Sequence, residues 1–345
     1  MSDNVCSYYW GRETKEFKTN VCPYYWGGRI NAHVGERLLK GFKMSLPLGA
    51  NSIRIFMGSD ANKVYEEIDV PIKDITLTEM AGFTSFAEIF ESKQYDTYVI
   101  TGYDFTTAPA GSFWDKLYLD LDFVNTHVQD IKKEWIDFSQ HLADKYPTKK
   151  FIMCTWEGDN DCWNGSAWDI KPSTFPKGPK QVEAYMRWIE IRSEAIRESG
   201  APNVFSSVEM TSLRLTQEGY PTVLNYLIAN KPQLDYLSFS FWEAKKDKKT
   251  LSDAIDYIQK QLLDAYKTNP PVLFIGEFGF KKADWKGKEA DKLKEAIEVF
   301  NEKKLPYAFV WNLFPMVGGD GPNDFGSMDE NGKLLPCGKV YAKQI

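Results

Sequence analysis

The chain has 345 residues, 43% hydrophobic and 26% charged, and 42 Lys and Arg against 48 Asp and Glu give a net charge of −6. That composition excludes a disordered or collagen-like chain, and an acidic chain without a basic run offers no footprint for nucleic acid. No apolar run reaches the 18 residues of a membrane span, so no membrane contact is expected.

The opening MSDNVCSYYWGRETKEF lacks the apolar core of a signal peptide, so the chain reads as cytoplasmic or as the mature form of a secreted protein. Residues 1–19 read as an N-terminal extension packing on a domain that spans 20–345. The extension carries NVCSYYWG (4–11), repeated once as NVCPYYWG (20–27). One repeat makes no solenoid, and a hairpin closing the lower end of the fold is one use for it.

From residue 20 onward, β-type runs alternate with helix-period segments. A strand at 21–26 precedes a helix at 30–46, and a strand at 51–57 precedes a weaker helix at 76–92. Strands at 97–103 and 150–157 precede helices at 130–146 and 180–200. A strand at 203–210 leads to a weak helix at 221–231, and one at 234–242 to a helix at 250–266. Strands at 272–280 and 307–314 flank the last clear helix, 289–304. Several strands are near-continuous Val, Ile and Phe runs, as buried parallel strands should be. Eight strands joined through helices close a barrel with right-handed crossovers. The predicted fold is therefore α/β, a single (β/α)8 TIM barrel. A doubly wound open sheet is the alternative, but no Gly-rich phosphate fingerprint follows the first strand.

Five cysteines in so long a chain make no disulfide scaffold, and no CxxC pair suggests zinc. With only three histidines, no metal site and no cofactor are predicted, and polar chemistry must rest on carboxylates. The 22 Phe, 18 Tyr and 11 Trp suit a large core, and Trp faces also suit sugar rings. A carbohydrate substrate and a monomeric chain are the expectation.

Active sites of such barrels lie at the C-terminal ends of the strands. Two carboxylates follow apolar runs there: Glu157 after FIMCTW, and Glu277 after LFIG. Period two puts Glu157 on the face of Thr155 and Met153, and Glu277 on that of Ile275 and Leu273. If those faces point inward, the glutamates rim one mouth from opposite sides. Facing carboxylates suit glycoside hydrolysis, one as acid and the other as nucleophile or base.

These residues resemble the retaining glycoside hydrolases of clan A, over roughly residues 20–345. The resemblance implies that Glu157 is the acid/base and Glu277 the nucleophile. LGANSIRIF (48–56) resembles that clan's Gly-x-Asn-x-x-Arg segment, which makes Arg54 the support of the nucleophile. FVWNLF (309–314) resembles its eighth strand, with Trp311 flooring the sugar site, and DFGSMDENGKLLPCGKVYA (324–342) resembles its closing turns and helix. The clan's Asn before the acid/base, which holds the sugar 2-hydroxyl, is replaced by Trp156. Asn160 or Asp161 in the following loop could substitute for it.

The two roles need opposite environments. A general acid needs a raised pKa, from burial or a neighbouring anion, and a nucleophile needs a cation such as Arg54 to stay ionised. Arg54 could equally fill a polar barrel layer. Glu209 and Glu243 end the fifth and sixth strands and could bind hydroxyls or face solvent. Trp242 and Tyr103 end strands where rings stack on sugars or join the core. The polar, Trp-bearing loop 158–169 suits substrate contact. Its Asp159 and Asp161 lack EF-hand spacing, and Cys154 and Cys162 read as structural. The predicted function is hydrolysis of a β-glycosidic bond in an oligo- or polysaccharide with retention. The alternative is a carbohydrate-binding barrel that has lost catalysis. An inverting hydrolase using Glu209 or a loop Asp as base is a third reading.

Overall fold

A computed structural model describes residues 17–27, 30, 36–65, 75–109, 116–166, 169–244, 247–315 and 325–342. Eight strands form: β1 (Asn20–Tyr25), β2 (Ser52–Met57), β3 (Thr97–Gly102), β4 (Lys150–Cys154), β5 (Val204–Met210), β6 (Tyr236–Ser240), β7 (Val272–Phe278) and β8 (Tyr307–Val310). They pair in parallel in chain order, and β1 closes on β8. The α/β reading, a single (β/α)8 TIM barrel, therefore holds.

The helices before β4 are α1 (Arg37–Ser45), α2 (Ala61–Tyr65), α3 (Leu77–Ala81), α4 (Thr84–Phe90), α5 (Leu121–Thr126) and α6 (Val128–Lys145). Between β4 and β6 come α7 (Gly158–Trp163), α8 (Gly178–Glu198), α9 (Leu213–Gln217) and α10 (Val223–Asn230). The last are α11 (Lys248–Tyr266), α12 (Lys282–Trp285), α13 (Glu289–Glu302) and α14 (Pro336–Tyr341). The helix expected at 76–92 is two. A capping box of Thr76 and Glu79 opens α3, and extended Phe83 starts α4.

The extension expected at 1–19 falls mostly outside the described residues, as does the first NVCxYYWG copy. The second copy forms β1, whose two edges are taken by β2 and β8. The expected hairpin at the lower end lies outside the described residues. Among the described residues, no helix is long and apolar enough to cross a membrane. The four described cysteines are buried and free.

The barrel interior fixes which face of each strand points inward. At the lower end, Lys150 Nζ donates to Tyr236 Oη at 2.6 Å and to Tyr307 Oη at 3.3 Å, joining β4, β6 and β8 across the lumen. The Phe274 ring lies 6.1 Å from both Tyr236 and Phe309, so β7 turns 272 and 274 inward. One layer higher, Arg54 spans from β2 to Glu209 on β5 with both side chains fully buried. Its guanidinium lies 4.2 Å from the Tyr24 ring centroid. The inward sets are thus 22, 24 and 26 on β1, 150, 152 and 154 on β4, and 236, 238 and 240 on β6.

Candidate active site

That phase turns both glutamates away from the lumen if the strands simply continue. Thr155 points outward, where its Oγ1 accepts a 2.7 Å hydrogen bond from Tyr185 of α8. Ile275 pairs with Phe239, also on the outer phase. The period-two argument for both residues is therefore corrected: two local breaks, not strand alternation, bring the carboxyls in.

The first break is a turn. β4 ends at Cys154, and Glu157 adopts a left-handed conformation (φ 34°, ψ 58°) as the residue before α7. A non-Gly residue there costs on the order of 1 kcal/mol, so the surroundings must hold it. The second break is a bulge. Phe239 pairs with Ile275 but Ser240 pairs with Glu277, which leaves Gly276 as the extra residue. Gly276 takes the inward phase without filling it. A Cβ there would lie 1.8 Å from Ser238 Oγ and 2.1 Å from Glu209 Oε2.

The breaks deliver both carboxyls to one place. Ser240, in register with Glu277, donates to Glu157 Oε1 at 2.9 Å. Asn160 Nδ2 donates to Glu157 Oε2 at 2.6 Å. Trp242 Nε1 donates to Glu277 Oε1 at 2.9 Å, while Glu277 Oε2 is buried with no partner among the described residues. Both glutamates are buried.

Burial first, and the charge of Glu209 second, push Glu157 up to about 7, against the hydrogen bonds from Ser240 and Asn160. Glu277 is pushed well above the usual carboxylate range by burial, then by Glu157 and Glu209, with Arg54 and the Trp242 bond opposing. Each buried carboxylate charge thus disfavours ionisation of the other. Arg54 lowers the Glu277 pKa as expected, but burial and the neighbouring carboxylates outweigh it, and its hydrogen-bonded partner is Glu209. Nη1 donates to Glu209 Oε2 at 2.6 Å and Nη2 to Oε1 at 3.1 Å.

The other expected site residues divide. Trp311 is half-buried at the mouth, its ring 5.0 Å from Tyr24 and 5.9 Å from Trp26, with a cis peptide to Asn312. Trp156 is half-buried, 6.1 Å from Trp26, and its backbone N–H donates to Tyr103 Oη at 3.0 Å. Trp26, Phe56, Tyr103 and Trp156 line a cleft of about 440 Å³ including its open mouth.

Glu209 does not reach toward a ligand. It is fully buried and accepts from Arg54, Ser238 and the Glu157 N–H. Trp242 spends its indole N–H on Glu277, and Asn160 spends its amide on Glu157. Glu243 accepts from Ser212 Oγ and the Arg214 N–H, so it ties a loop. The expected loop at 158–169 begins as α7, and all six helix residues are buried. Asp159 there accepts three backbone N–H groups, from Thr211, Ser212 and Val223. Asp161 pairs with Lys116 and Tyr118. No group of three potential metal ligands occurs among the described residues.

Sequence reasoning missed Trp26 and Ser240. Each lies on its strand's inward set, so a correct phase would have found both.

No family model matches the chain, and no curated protein matches it. Its structure is similar to an exo-β-1,4-mannosidase from Opitutaceae bacterium strain TAV5, with 12% identity, a TM-score of 0.57 and coverage of 95% of this chain. The chain spans 59% of that mannosidase. A family 1 β-glucosidase from Thermotoga maritima is 13% identical at a TM-score of 0.59, covering 95% of this chain and 97% of that one. A Bacteroidetes-affiliated GH5 cellulase linked with a polysaccharide utilization locus is 12% identical at 0.57, covering 94% and 89%. At such identities the likeness shows the fold.

Proposed function

We propose that this chain is a glycosidase that cleaves β-linked oligo- or polysaccharide with retention, using Glu277 as nucleophile and Glu157 as acid/base. The observation that carries this reading is that two buried carboxyls, each presented by its own backbone break, lie close enough to act on each other's charge, Glu157 on Ser240 and Glu277 on Trp242. Trp242 holds Glu277 Oε1, and Oε2 is the oxygen that attacks the anomeric carbon. As that bond forms, the bond to the leaving oxygen breaks, and Glu157 supplies its proton. Glu157 then takes a proton from water, whose oxygen displaces Glu277 from the anomeric carbon. In the reactive state Glu157 carries a proton and Glu277 is ionised.

Trp26, Trp156 and Trp311 supply apolar faces for sugar rings. Trp156 Nε1 is buried without a partner among the described residues. That donor takes the place of the missing Asn toward a sugar hydroxyl. No cofactor enters this mechanism.

The test is the pair Glu157→Ala and Glu277→Ala with an activated aryl β-glycoside. Glu157→Ala should form the covalent intermediate and stall, and azide should release it as β-glycosyl azide. Glu277→Ala should be inactive until azide replaces the nucleophile and gives α-glycosyl azide. Swapped anomers would exchange the roles. A folded parent that binds oligosaccharide but hydrolyses no glycoside would establish the alternative, a carbohydrate-binding barrel without catalysis.

A further inference from the structure

The reading above leaves a fully buried ion pair, Arg54–Glu209, with no part in the chemistry. Its bonds nevertheless run to both backbone breaks. Arg54 Nη2 donates to Thr155 O at 2.8 Å, two residues before Glu157, and Glu209 Oε1 accepts the Glu157 N–H itself at 3.0 Å. On the other side, Arg54 Nη1 donates to Gly276 O at 2.7 Å, the residue before Glu277. Ser238 Oγ donates to Glu209 Oε2, and Thr101 Oγ1 accepts from Arg54 Nε at 2.9 Å. The Glu209 N–H donates to Thr155 Oγ1 at 3.1 Å.

A buried ion pair is weak evidence for stability, because the desolvation cost offsets most of the attraction. This one is bonded to the turn that presents Glu157 and to the bulge that presents Glu277. It therefore acts where a small backbone displacement would change the alignment of both carboxyls.

Resting on the glycosidase reading, we propose that Arg54–Glu209 is the positioning element of the site. Its bonds hold both breaks, and the Glu209 charge cancels that of Arg54 beneath the two carboxyls.

The charged and titratable groups around those carboxyls are few. Glu157 faces Glu209 from β5, Glu277 from β7 and Asp161 from α7. Asp161 is itself paired with Lys116. Glu277 faces Glu157, Glu209, Arg54 from β2 and the Tyr24 hydroxyl from β1. Among the described residues, the cation acting on this pair of carboxyls is Arg54. Removing the Glu209 charge alone leaves that cation uncompensated, and both carboxyls should then ionise more readily.

Glu209→Gln in the full chain should therefore move both limbs of the kcat/KM–pH profile to lower pH, by about one unit or more. A group that only stabilises the fold would lower Tm and leave the limbs in place. A folded Glu209→Gln variant with unmoved limbs would overturn the proposal. The second variant is Arg54→Met with Glu209→Met, which removes both charges and every side-chain bond of the pair to the breaks. Here the limbs should stay near the parent's while kcat falls at least about tenfold. Parental kcat in this variant would overturn the positioning role. If neither variant folds, the pair is structural and the proposal fails. Carbon-13 NMR titration of Glu carboxyls compares parent with Glu209→Gln without any substrate. A missing shift there refutes the proposal whether or not the parent proves to be a glycosidase.

Discussion

Gly276 is where the barrel's polar layer and the backbone that presents Glu277 share one space, so Gly276→Ala tests both. Its φ is unremarkable, and the glycine is required for space alone. The new methyl would meet Ser238 Oγ at 1.8 Å, Glu209 Oε2 at 2.1 Å and Arg54 Nη1 at 2.6 Å. All three belong to fully buried side chains that are already hydrogen-bonded to one another, so none can swing into solvent. Overpacking of this kind costs about 1–3 kcal/mol, and fully breaking a buried ion pair costs about 3–5. A partial displacement of the pair places the loss at about 3 kcal/mol. For a chain of 345 residues that is a fall in Tm of about 4 °C. Urea denaturation at pH 6 would measure the loss, and single-turnover cleavage of an aryl β-glycoside would measure the chemistry. Because Gly276 O is held by Arg54, the bulge should shift with the pair, and the glycosylation rate should fall at least about tenfold. Stability within about 0.5 kcal/mol of the parent would refute the crowding argument. Lost stability with an unchanged glycosylation rate would refute the coupling of bulge to ion pair.

Trp242→Phe removes the donor to Glu277 Oε1. A hydrogen bond to a charged acceptor contributes about 1.5–3 kcal/mol, so kcat should fall about 10- to 150-fold with little change in KM, whereas a rise in KM alone would make Trp242 a sugar platform instead. Trp311→Ala should weaken substrate binding by about 1–3 kcal/mol in a folded protein, and unchanged kinetics would leave the ring a purely structural role. Glu157 is held near 7, above its ordinary 4.5, so the native state binds the extra proton. That contribution is complete below about pH 4.5 and is lost as pH rises through 7. Glu157→Gln should therefore be more stable than the parent at pH 8 by about 1–3 kcal/mol, with the gap closing below pH 5, and a gap independent of pH in urea titrations would contradict the raised carboxyl.

The architecture was legible because it is written in segments long enough to average over local exceptions. Eight apolar runs alternate with amphipathic stretches, and the strand positions fell within a few residues of their observed bounds. Where the expected strands ran long, as at 150–157 against Lys150–Cys154, the excess residues are those the site uses. Trp156 and Glu157 continue the apolar run in sequence but leave the ladder in space. Periodicity shows no break there, because a single left-handed residue changes direction without changing composition. The helix α7 was equally hidden: GDNDCW is as polar as a loop, and its acids are buried only because Thr211, Ser212, Val223, Lys116 and Tyr118 come to meet them.

The two glutamates were found by an argument that assigned them the wrong reason. Alternation named them as inward-facing on the phases of Met153 and Ile275, and both phases point outward. They reach the mouth because β4 gives way to a left-handed turn at Glu157 and β7 bulges at Gly276. The signal for the second break was present in Ile275-Gly276-Glu277, since a glycine inside an apolar strand marks a bulge or a close approach. Here it marks both. Glu209 shows the converse. It lies in regular phase on β5 and points inward as alternation requires, which places it in the sealed polar layer beneath the mouth. In this barrel, regular phase builds the sealed polar layer, and local backbone breaks present the two carboxyls at the mouth. A carboxylate that follows strand periodicity faithfully to its end is thereby marked as part of the scaffold, and the one that needs a glycine or a strained turn beside it is the candidate for catalysis.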